Sequence, residues 1–274
     1  MLKYIKGNKT LLLIHRFVDE AVDVRRLIYF LPNLARYVGS LLAYRRVSSG
    51  RRHGEFVLFP KLHDRTATTK VDPHYFYQGY WAFNRIYAIK PREHCDIGSQ
   101  IDFVRYLSAT VKTTFVDIRP IELPLENLIC VKGSILGTDY PDCSVPSISS
   151  LHVIEHIGLG RYGDPIDAHG SEKAAAEMAR MLEPDGRLYI STPIGRPRTC
   201  YNAHLIRTPL QVIELFSMLE LIEFSAVADT GKFCENADMA EFAKSDYACG
   251  LFVFTKRRNN TGTADMAGLA NEKI

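Results

Sequence analysis

No two of the chain's six cysteines are spaced C-x-x-C. They stand at 95, 130, 143, 200, 234 and 249 in 274 residues. Paired-thiolate zinc sites and redox dithiols need that spacing, so its absence argues against both. A chain of this length buries its own core without a disulfide framework, and the cysteines read as reduced core or pocket residues. A long apolar run is also missing. Leu11-Leu12-Leu13-Ile14 stops at His15-Arg16, too short for a secretory h-region. Residues 27–44 are interrupted by Pro32, Asn33 and Arg36, whereas a membrane span needs about 20 mostly apolar residues. A cytoplasmic protein is the expectation. The chain has no internal repeat and no G-x-G-x-x-G, the glycine pattern that seats a dinucleotide pyrophosphate on a helix N-terminus.

What is present is an ordinary globular composition, 46% hydrophobic and 24% charged. The net charge of +3 hides an asymmetry. Residues 1–52 hold 11 basic against 3 acidic side chains, and the remainder holds 23 against 28. Such a basic arm fits peripheral contact with a membrane or a protein, and it equally fits a solvated helical face. Nucleic acid is not expected as a partner.

Helical spacing over residues 10–31 predicts a helix closed by Pro32, and residues 33–46 a second one. "SSGRRHGE" reads as a loop and "EFVLFP" as a short strand. "DPHYFYQGYWAFNRI" opens with a helix-start signal and crowds six aromatic rings together. Core packing accounts for most of these rings, and a lid over a ligand is the alternative. From residue 93, strands alternate with helices. Strands are expected in "EHCDIG", "KTTFVDIRP", "ENLICVKGSI", "VPSISSLHVIEH", "RLYISTP", "LELIEFSAVAD" and "YACGLFVFTKR". Ser171 is a candidate helix cap and Pro184-Asp185-Gly186 a candidate turn. The expected fold is therefore α/β: a Rossmann-like, seven-stranded, mostly parallel sheet with an antiparallel last strand, plus an N-terminal helical extension. The expected domains are a basic helical extension at 1–55, a larger domain at 56–257 with its core at 92–256, and a flexible tail at 258–274.

In such sheets ligands bind beyond the carboxyl ends of the strands. That rule selects Asp96-Ile97-Gly98-Ser99, Asp117-Ile118, Gly133-Ser134-Ile135, His152 to His156, and Thr192-Pro193. Gly98 lets a ligand approach the backbone. Asp117, about 20 positions after the first strand tip, can accept both hydroxyls of a ribose. Asp102 at the following helix start would repel a diphosphate, so a nucleoside ligand without phosphates fits better.

On these residues the chain resembles the class I S-adenosylmethionine-dependent methyltransferases across residues 92–256. The matching pieces are "CDIGS", "VDIRP", "GSI", "LHVIEHI", "EMARMLEPDGRLYISTP" and "NAHLIRTP". Within them it is similar to an uncharacterised methyltransferase-like subfamily often seen beside glycan-synthesis genes. The resemblance implies S-adenosylmethionine as cofactor. Asp96, Gly98 and Ser99 would then line its methionine end, and Asp117 would hold the ribose. Ile118, Ser134 and Ile135 would surround adenine, and His152 would stand near the sulfonium. The implied activity is O- or N-methylation of a small molecule or a sugar or glycan precursor. Gln100 and Asp102 stand where the family has its second and third glycines. This motivates an alternative: a catalytically silent module organising a glycan-synthesis complex.

His152, Glu155 and His156 also spell H-x-x-E-H, a zinc-peptidase signature when carried on one helix. Gly158 and Gly160 follow at once, and "VPSISSL" before it reads as strand, so the segment is expected to be a strand tip and no metal site is assigned. Glu155 and His156 remain candidates for acid–base work, for holding a divalent ion together with a substrate, or for anchoring the next loop. His204 is a candidate base and Arg207 a candidate anion contact on the acceptor side.

Overall fold

The computed structural model describes residues 22–48, 56–119 and 121–258, together with residues 10, 11, 14, 17, 18 and 20. The expected tail from residue 259 onward and most of the expected 48–55 loop lie outside the described residues. The chain divides into two compact units, Met1–Val71 and Asp72–Ile274, so residues 56–71 group with the first.

In the first unit, helix α1 (Val24–Val47) carries Pro32 in its interior. The break expected at Pro32 falls instead at Asp23, whose side chain accepts the Arg26 N–H at 3.0 Å and caps the helix. Proline there removes only the bond to the Ile28 carbonyl, and Ile28 is exposed, so water can serve that carbonyl. Residues 56–60, expected as a strand, are irregular. Among the described residues this unit holds no second strand, and a single strand has nothing to pair with. No helix among the described residues is long and apolar enough to cross a membrane.

The second unit is the expected α/β sheet. Helix α2 (Pro73–Ile89) leads into β1 (His94–Ile97), α3 (Ile101–Ser108), β2 (Thr113–Asp117) and β3 (Leu128–Lys132). These are followed by β4 (Val145–Leu151), α4 (Gly170–Met181) and β5 (Leu182–Ile194). A hairpin of β6 (Arg198–Cys200) and β7 (His204–Ile206) precedes α5 (Pro209–Leu215), β8 (Glu220–Val227), β9 (Phe233–Cys234), α6 (Met239–Phe242) and β10 (Ala248–Thr255). The sheet order is β3-β2-β1-β4-β5-β10-β8-β9. Strands β1 to β5 pair in parallel, and β10 runs antiparallel to both β5 and β8. These are the seven expected strands plus a two-residue edge strand, β9. Three- and two-residue strands carry no periodicity, which is why β6, β7 and β9 were not legible. The strand order reverses between β1 and β4, and a crevice opens there at the carboxyl ends.

The apolar runs explain the layering. Every residue of β10 is buried. Its Leu251 and Val253 join Trp81, Ile86, Val104 and Leu107 on one face of the sheet, while Phe252 and Phe254 join Met178, Met181, Val212 and Phe216 on the other. A strand covered on both faces has no reason to alternate with polar residues. Helix α2 is pinned by polar contacts as well. The Trp81 indole N–H donates to Glu223 at 3.0 Å, and Arg85 reaches both Glu223 and Glu235. Asp72 caps the helix by accepting the N–H groups of His74 and Tyr75, which fixes both residues in its first turn.

Two local expectations change. Ser171 caps nothing: its hydroxyl donates to the Ile154 carbonyl at 2.9 Å, tying α4 to the segment after β4. The Pro184-Asp185-Gly186 turn lies inside β5. Leu182 pairs with Val145 and Arg187 with Ser147, so the residues between them form a bulge with Asp185 at φ 63°.

Candidate functional site

A cavity of about 570 Å³ opens at the carboxyl ends of β1, β2 and β4. Of the expected site residues, Gly98, Ser99, Asp117, Ile118, Ser134, Ile135, His152 and His156 line it. Gly98 follows β1 at φ +65°, and a Cβ there would stand 3.3 Å from Val153 and 3.8 Å from Asp117 Oδ2. Glycine therefore supplies both the left-handed backbone and the open space. Asp117, at the end of β2, is mostly buried. Its Oδ1 accepts the Arg119 N–H at 2.7 Å, and no donor among the described residues holds Oδ2. The cavity floor is apolar, built from Ile97, Val116, Ile118 and Ile135. The Arg119 guanidinium stacks over the Tyr162 ring at 4.3 Å, and both residues line the wall. Asp164 shapes this rim by accepting N–H groups from Gly158, Gly160 and Tyr162.

Asp96 is fully buried and lies behind the cavity rather than in its wall. One oxygen accepts the Ser99 N–H at 3.0 Å, and the other accepts the Ser149 hydroxyl. Since Ser149 donates to Asp96, it accepts from His94 Nε2 at 2.8 Å. Nδ1 of His94 then accepts from Ser147 at 2.8 Å. This Asp–Ser–His chain resembles a nucleophile triad by composition, yet all of it is in the core, with no route to a substrate. Burial pushes the Asp96 carboxyl up to about 6 and the His94 imidazole down to about 3. The Ser99 hydroxyl accepts the Leu151 N–H at 2.9 Å, which locks the β1 tip to the β4 tip.

His152 ends β4 in a left-handed conformation, φ 56°. Its N–H donates to the carbonyl and the hydroxyl of Ser191 at 2.9 and 3.0 Å. Nδ1 bonds Glu155 Oε1 at 2.6 Å, and Glu155 has no exposed surface. Burial opposes ionisation of both groups. The facing Cys249 sulfur and the Glu155 carboxylate overcome it at His152, whose pKa rises well above its ordinary value. Burial is overcome at Glu155 by the same imidazole, which holds the carboxyl low. Among the described residues, two buried side-chain atoms have no hydrogen-bond partner: His152 Nε2 and Glu155 Oε2. The H-x-x-E-H residues therefore share no helix. His152 faces Glu155 across a turn, while His156 Nδ1 donates to the Ala203 carbonyl at 2.6 Å. Burial lowers the His156 pKa.

His204 and Arg207 do not line the cavity. The His204 ring packs against Tyr247 at 5.0 Å, and Arg207 lines a separate groove with Glu172 and Arg198. Asp102 pairs with Arg105 at 2.9 Å and stays outside the cavity wall, whereas Gln100 lines it. Ser134 spends its hydroxyl on its own turn, accepting the Leu136 N–H at 3.2 Å. Of the six rings crowded between residues 75 and 83, Tyr75 alone lines the cavity, and it stacks on His152 at 5.3 Å. The sequence reading missed His74 and Cys249, which meet His152 from distant segments. Asp72, capping α2, was the only local sign that the helix's first turn is held in place.

A family model described as "Caenorhabditis protein of unknown function, DUF268" matches residues 141–248. No curated protein matches the chain. Among solved structures, the chain is similar to the N-methyltransferase NodS from Bradyrhizobium japonicum WM9. The two are 16% identical with a TM-score of 0.48, over 68% of this chain and 98% of that one. It is similar to a putative sarcosine dimethylglycine methyltransferase from Galdieria sulphuraria, at 15% identity and a TM-score of 0.48 over 66% and 86% of the chains. It is also similar to 1,6-didemethyltoxoflavin-N1-methyltransferase from Burkholderia thailandensis, at 15% identity and a TM-score of 0.45 over 70% and 94%.

Proposed function

We propose that this protein is an S-adenosylmethionine-dependent methyltransferase acting on oxygen or nitrogen of a small molecule or of a sugar or glycan precursor. The observation that carries the reading is Asp117: a carboxylate with one oxygen committed and one uncommitted, facing the bare backbone of Gly98 in the cavity wall. Two vicinal ribose hydroxyls can both donate to such a carboxylate. The apolar floor suits a purine ring, and the volume falls within the range of about 300–1,000 Å³ usual for small-molecule sites. The missing glycines disfavour a diphosphate.

When bound, the cofactor supplies an electrophilic methyl group on a sulfonium. The chain's share is mostly positioning, which orients the acceptor in line and excludes water. Tyr75 and Tyr162 both line the cavity. His156 is the base assigned to an acceptor: with Nδ1–H held by Ala203, its Nε2, 3.8 Å from the Glu155 carboxylate, can take a proton, and burial keeps the ring neutral.

Calorimetric titration of S-adenosylmethionine and S-adenosylhomocysteine into wild type and Asp117→Ala tests the reading. Saturable binding by wild type, weakened at least tenfold in the variant, is expected. No binding by wild type overturns it. Binding without methyl transfer to any small-molecule or glycan extract would favour the silent-module alternative.

A further inference from the structure

We propose that His74, His152 and Cys249 form a site for a borderline divalent transition-metal ion of the zinc type, beside the cavity and sharing His152 with its wall. The three donors come from the first turn of α2, the end of β4 and the start of β10, and they lie within 4.8 Å of one another. All three side chains are buried. Their positions are built rather than incidental. Asp72 caps the turn that carries His74, Ser191 holds the His152 backbone with two bonds, and Cys249 is paired on both sides, to Pro193 and Val227.

The second observation is the orphaned nitrogen. Among the described residues His152 Nε2 is buried with no hydrogen-bond partner, a condition that is unfavourable unless something occupies it. Its other nitrogen, Nδ1, is bonded to Glu155 at 2.6 Å. A carboxylate on the far nitrogen is the usual outer partner of a metal-bound imidazole, since it fixes the tautomer and turns the Nε2 lone pair toward the ion. Two imidazoles and a thiol, with no oxygen ligand among them, exclude calcium and magnesium and suit zinc or its neighbours. The Cys249 thiolate and the Glu155 carboxylate together balance a charge of +2.

Tetrahedral bonds of about 2.0–2.3 Å hold donors about 3.3–3.8 Å apart, so a triangle no more than 4.8 Å on a side needs only a small closure on binding. Three protein ligands leave a fourth position for water or an acceptor oxygen. Activation of an acceptor there rests on the methyl-transfer reading; the metal site does not.

The test uses the full chain without a metal-binding tag, stripped by chelator and titrated with zinc alone and with cobalt alone, in the absence of any nucleoside. The expected result is one equivalent per chain, with thiolate-to-cobalt charge-transfer absorption. X-ray absorption of the zinc form should give a first shell of one sulfur and two imidazoles. His74→Gln and Cys249→Ser should each weaken binding at least tenfold, and Glu155→Gln, which acts through His152, by about 10–100-fold. Circular dichroism checks that each variant folds, and if one does not, the wild-type first shell decides. Substoichiometric binding, a first shell without sulfur, or unchanged affinity in folded Cys249→Ser overturns the proposal. A failure of S-adenosylmethionine to bind would overturn the methyltransferase reading and leave this one standing.

Discussion

The two halves of the crevice are assembled in opposite ways. On one side Gly98, Asp117 and Ser134 each stand at the end of a parallel strand or within two residues of it, in chain order, and each sits where a strand-tip rule expects it. On the other side His74, His152 and Cys249 are drawn from a helix start, a strand end and an antiparallel strand, with long stretches of sequence between them. The first half is open and keeps an unused carboxylate oxygen. The second half is closed, aromatic and ionic: His74 stacks on His152 at 5.5 Å and on Tyr247 at 5.2 Å. The first half therefore suits ligand recognition at little cost to folding, while the second also carries stability.

That contrast can be broken at four places. Glu155→Ala, in metal-free protein, strips the carboxylate from a buried pair and leaves His152 uncompensated. Denaturant melts should lose about 3–5 kcal/mol, and a loss below about 1 kcal/mol would mean the cluster does not hold the fold. Asp96→Asn probes the relay behind the cavity. Burial lifts the Asp96 carboxyl from 3.8 to about 6, so between those values the folded chain holds a proton that the unfolded chain releases. The Asp96 contribution to stability therefore falls as pH rises through that window. The variant cannot titrate there, so relative to wild type it should gain up to about 3 kcal/mol between pH 4 and pH 7. This rides on a pH-independent loss from the Ser149 bond. His94, held down to about 3, acts with the opposite sign in both proteins, which is why the difference between them is the quantity to measure.

Asp117→Ala should reverse the pattern. Cofactor affinity falls by about 1.5–3 kcal/mol, the worth of hydrogen bonds to a charged group, while the melting temperature barely moves. A large drop in stability would erase the distinction between the halves. Gly98→Ala is the mildest. The left-handed backbone costs about 1–2 kcal/mol for a side chain, and the added Cβ, 3.3 Å from Val153, narrows the cavity. Stability and cofactor affinity should both decline, as read by melts and calorimetry.

The strand tips were legible because the rule behind them is local: a β-branched run, a turn residue and a helix start sit within a dozen positions. The seven strands and the antiparallel last one followed from the same alternation. H-x-x-E-H was half legible. Its letters signalled polar chemistry, but the pairing of His152 with Glu155 depends on a left-handed residue at the end of β4, and no periodicity announces that. Pro32 misled in the other direction, because a solvent-facing helix tolerates a missing bond that a buried one would not. Asp96, expected at the cofactor's methionine end, is turned inward because Ser149 on the neighbouring strand offers it a hydroxyl.

From its sequence alone this chain determined its fold class, its strand tips and the acid that ends β2, because hydrophobic alternation and turn chemistry act over short distances. Only the tertiary structure decided that Asp96 is a core residue, that His204 and Arg207 stand off the cavity, and that His74 and Cys249 converge on His152. Those outcomes depend on the sheet order, which brings β10 beside β5 and lays α2 across the sheet, and burial then makes each unpaired nitrogen or oxygen count.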